Sequence, residues 1–206
     1  MSIFVEVNSN TGLVVATKCG STTVRRMARA RGWPELSLKQ LQSRNCRRVI
    51  CVLRHPMERL ISTWRMRYVK PVVAWYNGAH AWGVWPAHKL QESTIWARRN
   101  HKDLIHNPLR AWRRWLDSEY FHRMVHEERE PHIRGYAGIY SIAAEAIPDV
   151  QYHSNLTNLL EELRLPITHS HVGVWPWPAR TIEDFVQAAG HVPHLDADFE
   201  LWNAHK

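Results

Sequence analysis

An apolar run, Leu13-Val14-Val15-Ala16, passes at once into small and hydroxylated residues, Thr17-Lys18-Cys19-Gly20-Ser21-Thr22-Thr23. Val24-Arg25-Arg26-Met27-Ala28-Arg29-Ala30-Arg31 follows, with Val24, Met27 and Ala28 at helical spacing and arginines on the other face. A buried strand, a tight turn and a helix in that order aim backbone N–H groups at an anion. Gly20 lets the backbone approach closely. Ser21, Thr22 and Thr23 add hydroxyl donors, and Lys18 adds a mobile positive charge at the mouth. The stretch reads as a phosphate or sulfate cradle and commits the chain to a βα unit.

A second stretch repeats the layout. Arg47-Arg48-Val49-Ile50-Cys51-Val52-Leu53 reads as another strand and runs into Arg54-His55-Pro56-Met57-Glu58-Arg59-Leu60-Ile61-Ser62-Thr63-Trp64. Pro56 suits a first helical position and Glu58 complements a positive helix start. Leu60, Ile61, Trp64 and Tyr68 share one helical face, with Arg59 and Ser62 on the opposite one. Arg54 then sits at a strand end and Ser62 projects from the next helix, toward the carboxyl edge of the sheet.

A nucleotide-triphosphate loop requires Gly, four residues, then Gly-Lys and Ser or Thr. Gly12 is in place relative to Lys18, but Thr17 replaces the second Gly and Cys19 replaces the magnesium-binding hydroxyl. Lys18-Cys19-Gly20-Ser21-Thr22-Thr23 ahead of a helix instead resembles the 5′-phosphosulfate loop of the PAPS-dependent sulfotransferases, where PAPS is 3′-phosphoadenosine 5′-phosphosulfate. The Arg54–Ser62 stretch resembles that family's 3′-phosphate motif, with His55 in place of the usual Asp and Trp64 where Tyr is common. Val150–Leu163 resembles its later strand-helix unit, with Ser154-Asn155-Leu156 lacking the acidic residue. The tail from His194 to Trp202 resembles its closing acidic-aromatic helix.

The resemblance implies a sulfotransferase that moves the sulfuryl group of PAPS to a hydroxyl of a carbohydrate or other ring-containing acceptor, without a metal. It implies that Lys18, Cys19, Gly20, Ser21, Thr22 and Thr23 hold the 5′-phosphate, with Lys18 also neutralising the leaving oxygen. Arg54 and Ser62 would hold the 3′-phosphate. The acceptor hydroxyl needs a general base. Glu35 lies in the window where the family places a His or Glu, and His132, in Glu130-Pro131-His132, is similar to a His of the carbohydrate sulfotransferases. A nucleotide-dependent phosphotransferase using the same loop, or a basic nucleic-acid-binding module, are the alternatives.

The expected fold is a three-layer, P-loop-like α/β domain, with a short, mostly parallel sheet and helices on both faces. A length of 206 residues suits one domain. Residues 70–107 form a Trp-rich acceptor-side lobe over the sheet edge in this reading. Trp75, Trp82, Trp85 and Trp96, with Trp175 and Trp177 in a later loop, either stack on sugar rings or pack a core poor in Phe.

Ile3 to Ala16 reads as a hairpin about the turn cluster Asn8–Gly12. Ser37 caps a short helix. Asn107-Pro108 opens a long helix carrying Leu109, Trp112, Leu116, Tyr120 and Met124. Ala137–Ala146 fits either helix or strand. Asn155 and Thr181 cap two later helices.

The formal net charge of +8 suits a polyanionic donor. No zinc-finger or RNA-recognition signature is present, so no nucleic-acid partner is expected. Neither a long apolar run nor a basic leader with an apolar core is present, which suggests a soluble cytoplasmic enzyme with no membrane partner. Cys19, Cys46 and Cys51 are odd in number and lack metal spacing, against a disulfide framework.

Overall fold

A computed structural model of the chain describes residues 1–44, 46–70, 72, 92–126, 135–146, 149–165 and 177–206. The chain is α/β and divides into two compact units. The first comprises Met1–Arg59, Gly135–Gly173 and His194–Lys206; the second comprises Leu60–Arg134 and Val174–Pro193. The second unit extends well beyond the lobe expected at 70–107, most of which lies outside the described residues.

The first unit is built on a four-stranded sheet in the order β1-β2-β3-β4. Strand β1 (Ser2–Glu6) turns back on β2 (Thr11–Val15) as an antiparallel hairpin, with Ser2 opposite Val15 and Glu6 opposite Thr11. Asn10 takes a left-handed conformation in the turn, which its short polar side chain tolerates. Helix α1 (Ser21–Ala30) and the short α2 (Leu38–Ser43) carry the chain to β3 (Arg48–Val52), which lies parallel to β2. Ser37 caps α2 as expected, in a reciprocal box with Gln40.

Helix α3 (Pro56–Trp64) leaves β3, and the compact-unit boundary falls inside it, between Arg59 and Leu60. It continues as a π-helical turn over Arg65–Val69. In the second unit follow α4 (Glu92–Arg99), α5 (His101–His106), α6 (Pro108–Leu116) and α7 (Glu119–His126). The chain returns to the first unit with α8 (Ala137–Ala146), β4 (Val150–His153), parallel to β3, and α9 (Leu156–Glu162). Helix α10 (Ile182–Ala189) belongs to the second unit, and α11 (Asp196–His205) closes the first. Asn155 and Thr181 cap α9 and α10 through their side chains.

Every residue of β2 is buried, as are the last four of β3. Neighbouring strand residues point to opposite faces, so the sheet is covered on both sides. That arrangement is consistent with three layers. Val24, Met27 and Ala28 of α1, Leu41 of α2, Tyr140 of α8 and Leu159 and Leu160 of α9 join the strands in one core.

One expected helix is two. The apolar stripe from Leu109 to Met124 is interrupted at Asp117-Ser118. Ser118 Oγ donates to Trp115 O (2.6 Å) and accepts from Phe121 N (3.2 Å), closing α6 and opening α7. A serine hydroxyl competes with the helical ladder in this way, and periodicity alone does not register it. Asn107 precedes Pro108 as expected, but it makes no side-chain cap among the described residues.

The second unit packs on aromatics. Trp64 stacks on Trp177 (5.5 Å) and meets Trp112 edge-on (5.1 Å), and Trp112 stacks on Trp115 (5.3 Å). Buried indoles need acceptors. Trp112 donates to Phe185 O (2.9 Å) and Trp177 to Leu104 O (3.0 Å). Trp177 is therefore a core residue rather than a sugar platform. Trp96 is half-buried, edge-on to Tyr68. Trp75, Trp82, Trp85 and Trp175 lie outside the described residues.

Candidate functional site: the loops after β2 and β3

The carboxyl ends of β2, β3 and β4 lie side by side in the register of a parallel sheet, where open α/β sheets place their ligands. After β2, Cys19 N donates to Ala16 O (3.2 Å), closing a tight turn. Lys18 and Gly20 both take left-handed backbone conformations, at φ +68° and +85°. For Gly20 that conformation carries no steric cost. For a lysine it stores strain, and such strain gathers at ligand clamps.

Gly20 O accepts the first helical bond of α1 from Val24 N (3.0 Å). The N–H groups of Ser21, Thr22 and Thr23 thus lie ahead of the helical ladder, with the positive end of the helix dipole behind them. Thr22 is exposed, and Lys18, Ser21 and Thr23 are half-buried. A Cβ on Gly20 would stand 2.4 Å from Cδ2 of Leu156, so glycine is favoured there on two counts. Cys19 differs from its neighbours. Its side chain is buried, and burial pushes the thiol up to about 11, against the pull of the nearby Arg59 and Arg54 charges. Only its backbone can serve the cradle.

The two sequence motifs meet in space. Arg54, just past β3, donates from Nη1 to Lys18 O (3.0 Å) and from Nε to Glu58 Oε2 (3.3 Å). Its side chain is 34% exposed, and these two bonds leave further N–H donors on the guanidinium fork. Ser62 is half-buried on α3, beyond the point at which the second unit begins.

Glu35, the first candidate base, is engaged with α1 and β1. It forms a β-bridge with Phe4, and its carboxylate pairs with Arg29 (2.8 Å) and Arg25 (3.2 Å), one helical turn apart on α1. Arg25 also donates to Ser2 Oγ (2.7 Å). His132, the second candidate base, lies outside the described residues.

Below the loops lies a buried polar cluster that the sequence patterns did not single out. Arg59, expected on the polar face of α3, has no exposed surface. Its Nε donates to Thr17 O (3.0 Å), and its Nη1 faces Asp198 Oδ2 at 3.7 Å. Asp198, 1% exposed on α11, accepts from Tyr136 N (3.1 Å) and Ala137 N (2.8 Å) and so caps α8. Burial raises its pKa, while the two backbone bonds and the Arg59 charge oppose the rise. The Tyr136 hydroxyl lies 3.0 Å from Arg54 O and 3.2 Å from Asp198 O. One turn along α8, Tyr140 donates to Val52 O (2.5 Å) and accepts from Ala16 N (3.0 Å).

A signal for this cluster was present in the tail. Asp198 falls at helical spacing from Leu195 and Trp202, and an acid on an apolar stripe needs a buried partner.

His55, beside Arg54, packs edge-on against Phe199 (5.5 Å) and Trp202 (5.8 Å) of α11. Its Nδ1 is buried with no hydrogen-bond partner among the described residues. Burial lowers its pKa, opposed by Glu58 and assisted by Lys206 and Arg54.

Comparison with models of known protein families, with curated proteins and with solved structures gives no match for this chain. Among the described residues, no helix is long and apolar enough to cross a membrane.

Proposed function

We propose that the chain is a PAPS-dependent sulfotransferase acting on a hydroxyl of a carbohydrate or other ring-containing acceptor. The observation that carries the reading is the bond from Arg54 Nη1 to Lys18 O. It joins the two sequence motifs at the ends of adjacent parallel strands, as one ligand with two anionic groups requires. In this reading the sheet and its first loop are P-loop-like, and the enzyme is soluble and cytoplasmic.

The 5′-phosphate sits against the N–H groups and hydroxyls of Gly20, Ser21, Thr22 and Thr23, with the Cys19 backbone beside them. Arg54 takes the 3′-phosphate, through donors not already engaged. The acceptor oxygen attacks sulfur in line, and the bond from sulfur to the phosphate oxygen breaks. The electron pair leaves on PAP, 3′-phosphoadenosine 5′-phosphate, and Lys18 neutralises it there. The acceptor proton passes to a base, for which Glu35 and His132 are the candidates. Serving as the base, Glu35 would have to give up its pairing with Arg25 and Arg29. No metal takes part in the step.

The test is transfer of a labelled sulfuryl group from PAPS to a panel of hydroxylated glycans in the presence of a chelator. Labelled product that disappears with Lys18→Ala supports the proposal. A chain that instead uses magnesium and ATP is a phosphotransferase. One that binds only DNA or RNA, with steep salt dependence, is a nucleic-acid module.

A further inference from the structure

We infer that Asp198 is a positioning residue for the cradle, acting through Arg59 on the loop after β2 and through Tyr136 on the loop after β3. Only its importance for PAP binding rests on the function proposed above; the effect on the loops does not.

The cradle's two halves leave adjacent parallel strands and meet directly through the bond from Arg54 to Lys18 O. Further support comes from Arg59 on α3 and, from far along the chain, from Tyr136 and Asp198. Arg59 grips the loop after β2 at Thr17 O, from a site where it has no access to water. A buried guanidinium needs a counter-charge, and Asp198 faces it at 3.7 Å. The same carboxylate fixes the start of α8 by accepting from Tyr136 N and Ala137 N on its two oxygens. With that start fixed, the Tyr136 hydroxyl reaches Arg54 O, on the residue whose guanidinium meets Lys18 O. The Arg59 guanidinium also lies 5.6 Å over the Tyr136 ring, linking the two routes.

Neither route tolerates a neutral amide in place of Asp198. Both carboxylate oxygens accept, and Asn would turn an NH2 donor toward Ala137 N–H in one orientation and toward Tyr136 N–H and Arg59 in the other. Gly135 leaves room for this carboxylate: an added Cβ there would stand 2.9 Å from Asp198 Oδ1 and crowd it.

The experiment compares 1H–15N spectra and amide exchange of the ligand-free protein with those of Asp198→Asn. Ile50→Val, a core change in β3, is the stability control. Asp198→Asn is expected to displace the amide signals of Thr17–Gly20 and of Arg54 and His55. It should also speed exchange of the Cys19 amide at least tenfold and leave the hairpin of β1 and β2 in place. Ile50→Val should leave the loop signals where they were. Loop signals that stay put in Asp198→Asn overturn the inference.

Should Asp198→Asn fail to fold, Tyr136→Phe decides instead. Removing only the hydroxyl should move the Arg54 and His55 amides while α8 persists, and no movement refutes the route to Arg54. A parallel PAP titration should show at least tenfold weaker binding for Asp198→Asn and unchanged binding for Ile50→Val. Native PAP affinity in Asp198→Asn also overturns the inference. A wild-type chain that does not bind PAP removes the sulfotransferase reading, while the ligand-free spectra still decide the positioning role.

Discussion

Gly20→Ala separates two reasons for a glycine in the cradle. The backbone at this position has φ +85°, and an L-residue there costs about 1–2 kcal/mol. The added methyl would also stand 2.4 Å from Leu156 Cδ2, where real Cβ contacts essentially never fall below 3.0 Å. The obstacle is the far end of a half-buried side chain, so Leu156 can turn away, at about 1–2 kcal/mol for overpacking and an off-minimum rotamer. The sum is about 2–4 kcal/mol of lost stability, read by urea unfolding. In a Leu156→Ala background only the backbone share should remain, so a double-mutant cycle should return a coupling of about 1–2 kcal/mol. Additive losses would refute the close approach of α9 to the loop. A Gly20→Ala cost under about 0.5 kcal/mol, the usual range for a surface change, would refute the left-handed turn itself.

Lys18 also sits at positive φ, so Lys18→Gly should be about 1 kcal/mol more stable than Lys18→Ala; equal unfolding midpoints would contradict the strain. His55 should titrate below its ordinary 6.5 by imidazole NMR. Its lowered folded-state pKa contributes stability that is complete above the ordinary value and lost as pH falls through the folded value. His55→Asn should lack that acid loss, and a titration at or above 6.5 would contradict the burial account. Glu35→Gln should change stability by no more than about 1 kcal/mol, since its ion pairs with Arg25 and Arg29 are partly exposed. It should slow turnover more than PAP binding if Glu35 is the base, and a normal rate removes it from that role.

The hairpin, α1 and β3 were legible because each couples an unbroken apolar pattern to a specific turn or cap residue. The junctions at Lys18 and Arg54 were legible for the same reason. The break at Ser118 was not, because one hydroxyl ended a stripe whose periodicity continued across it. Arg59 illustrates a different limit. Helical spacing places it opposite the apolar face of α3, but spacing cannot tell that α8 and α11 cover that side too. Asp198 and Tyr136 lie 139 and 77 residues further along the chain than Arg59, and no local pattern links groups at such separations. The tryptophans divide by hydrogen bonding: Trp112 and Trp177 find carbonyl acceptors inside the second unit, which composition alone could not assign.

The central claim is that Lys18 and Arg54 serve one bisphosphate ligand. Calorimetric titration of PAP in the presence of a chelator tests it most directly, on the wild-type chain, Lys18→Ala and Arg54→Ala. The account predicts metal-free binding by the wild type, and a loss of about 2 kcal/mol or more in each variant, as for a charge-assisted contact. No binding by the wild type, or wild-type affinity in both variants, would contradict it.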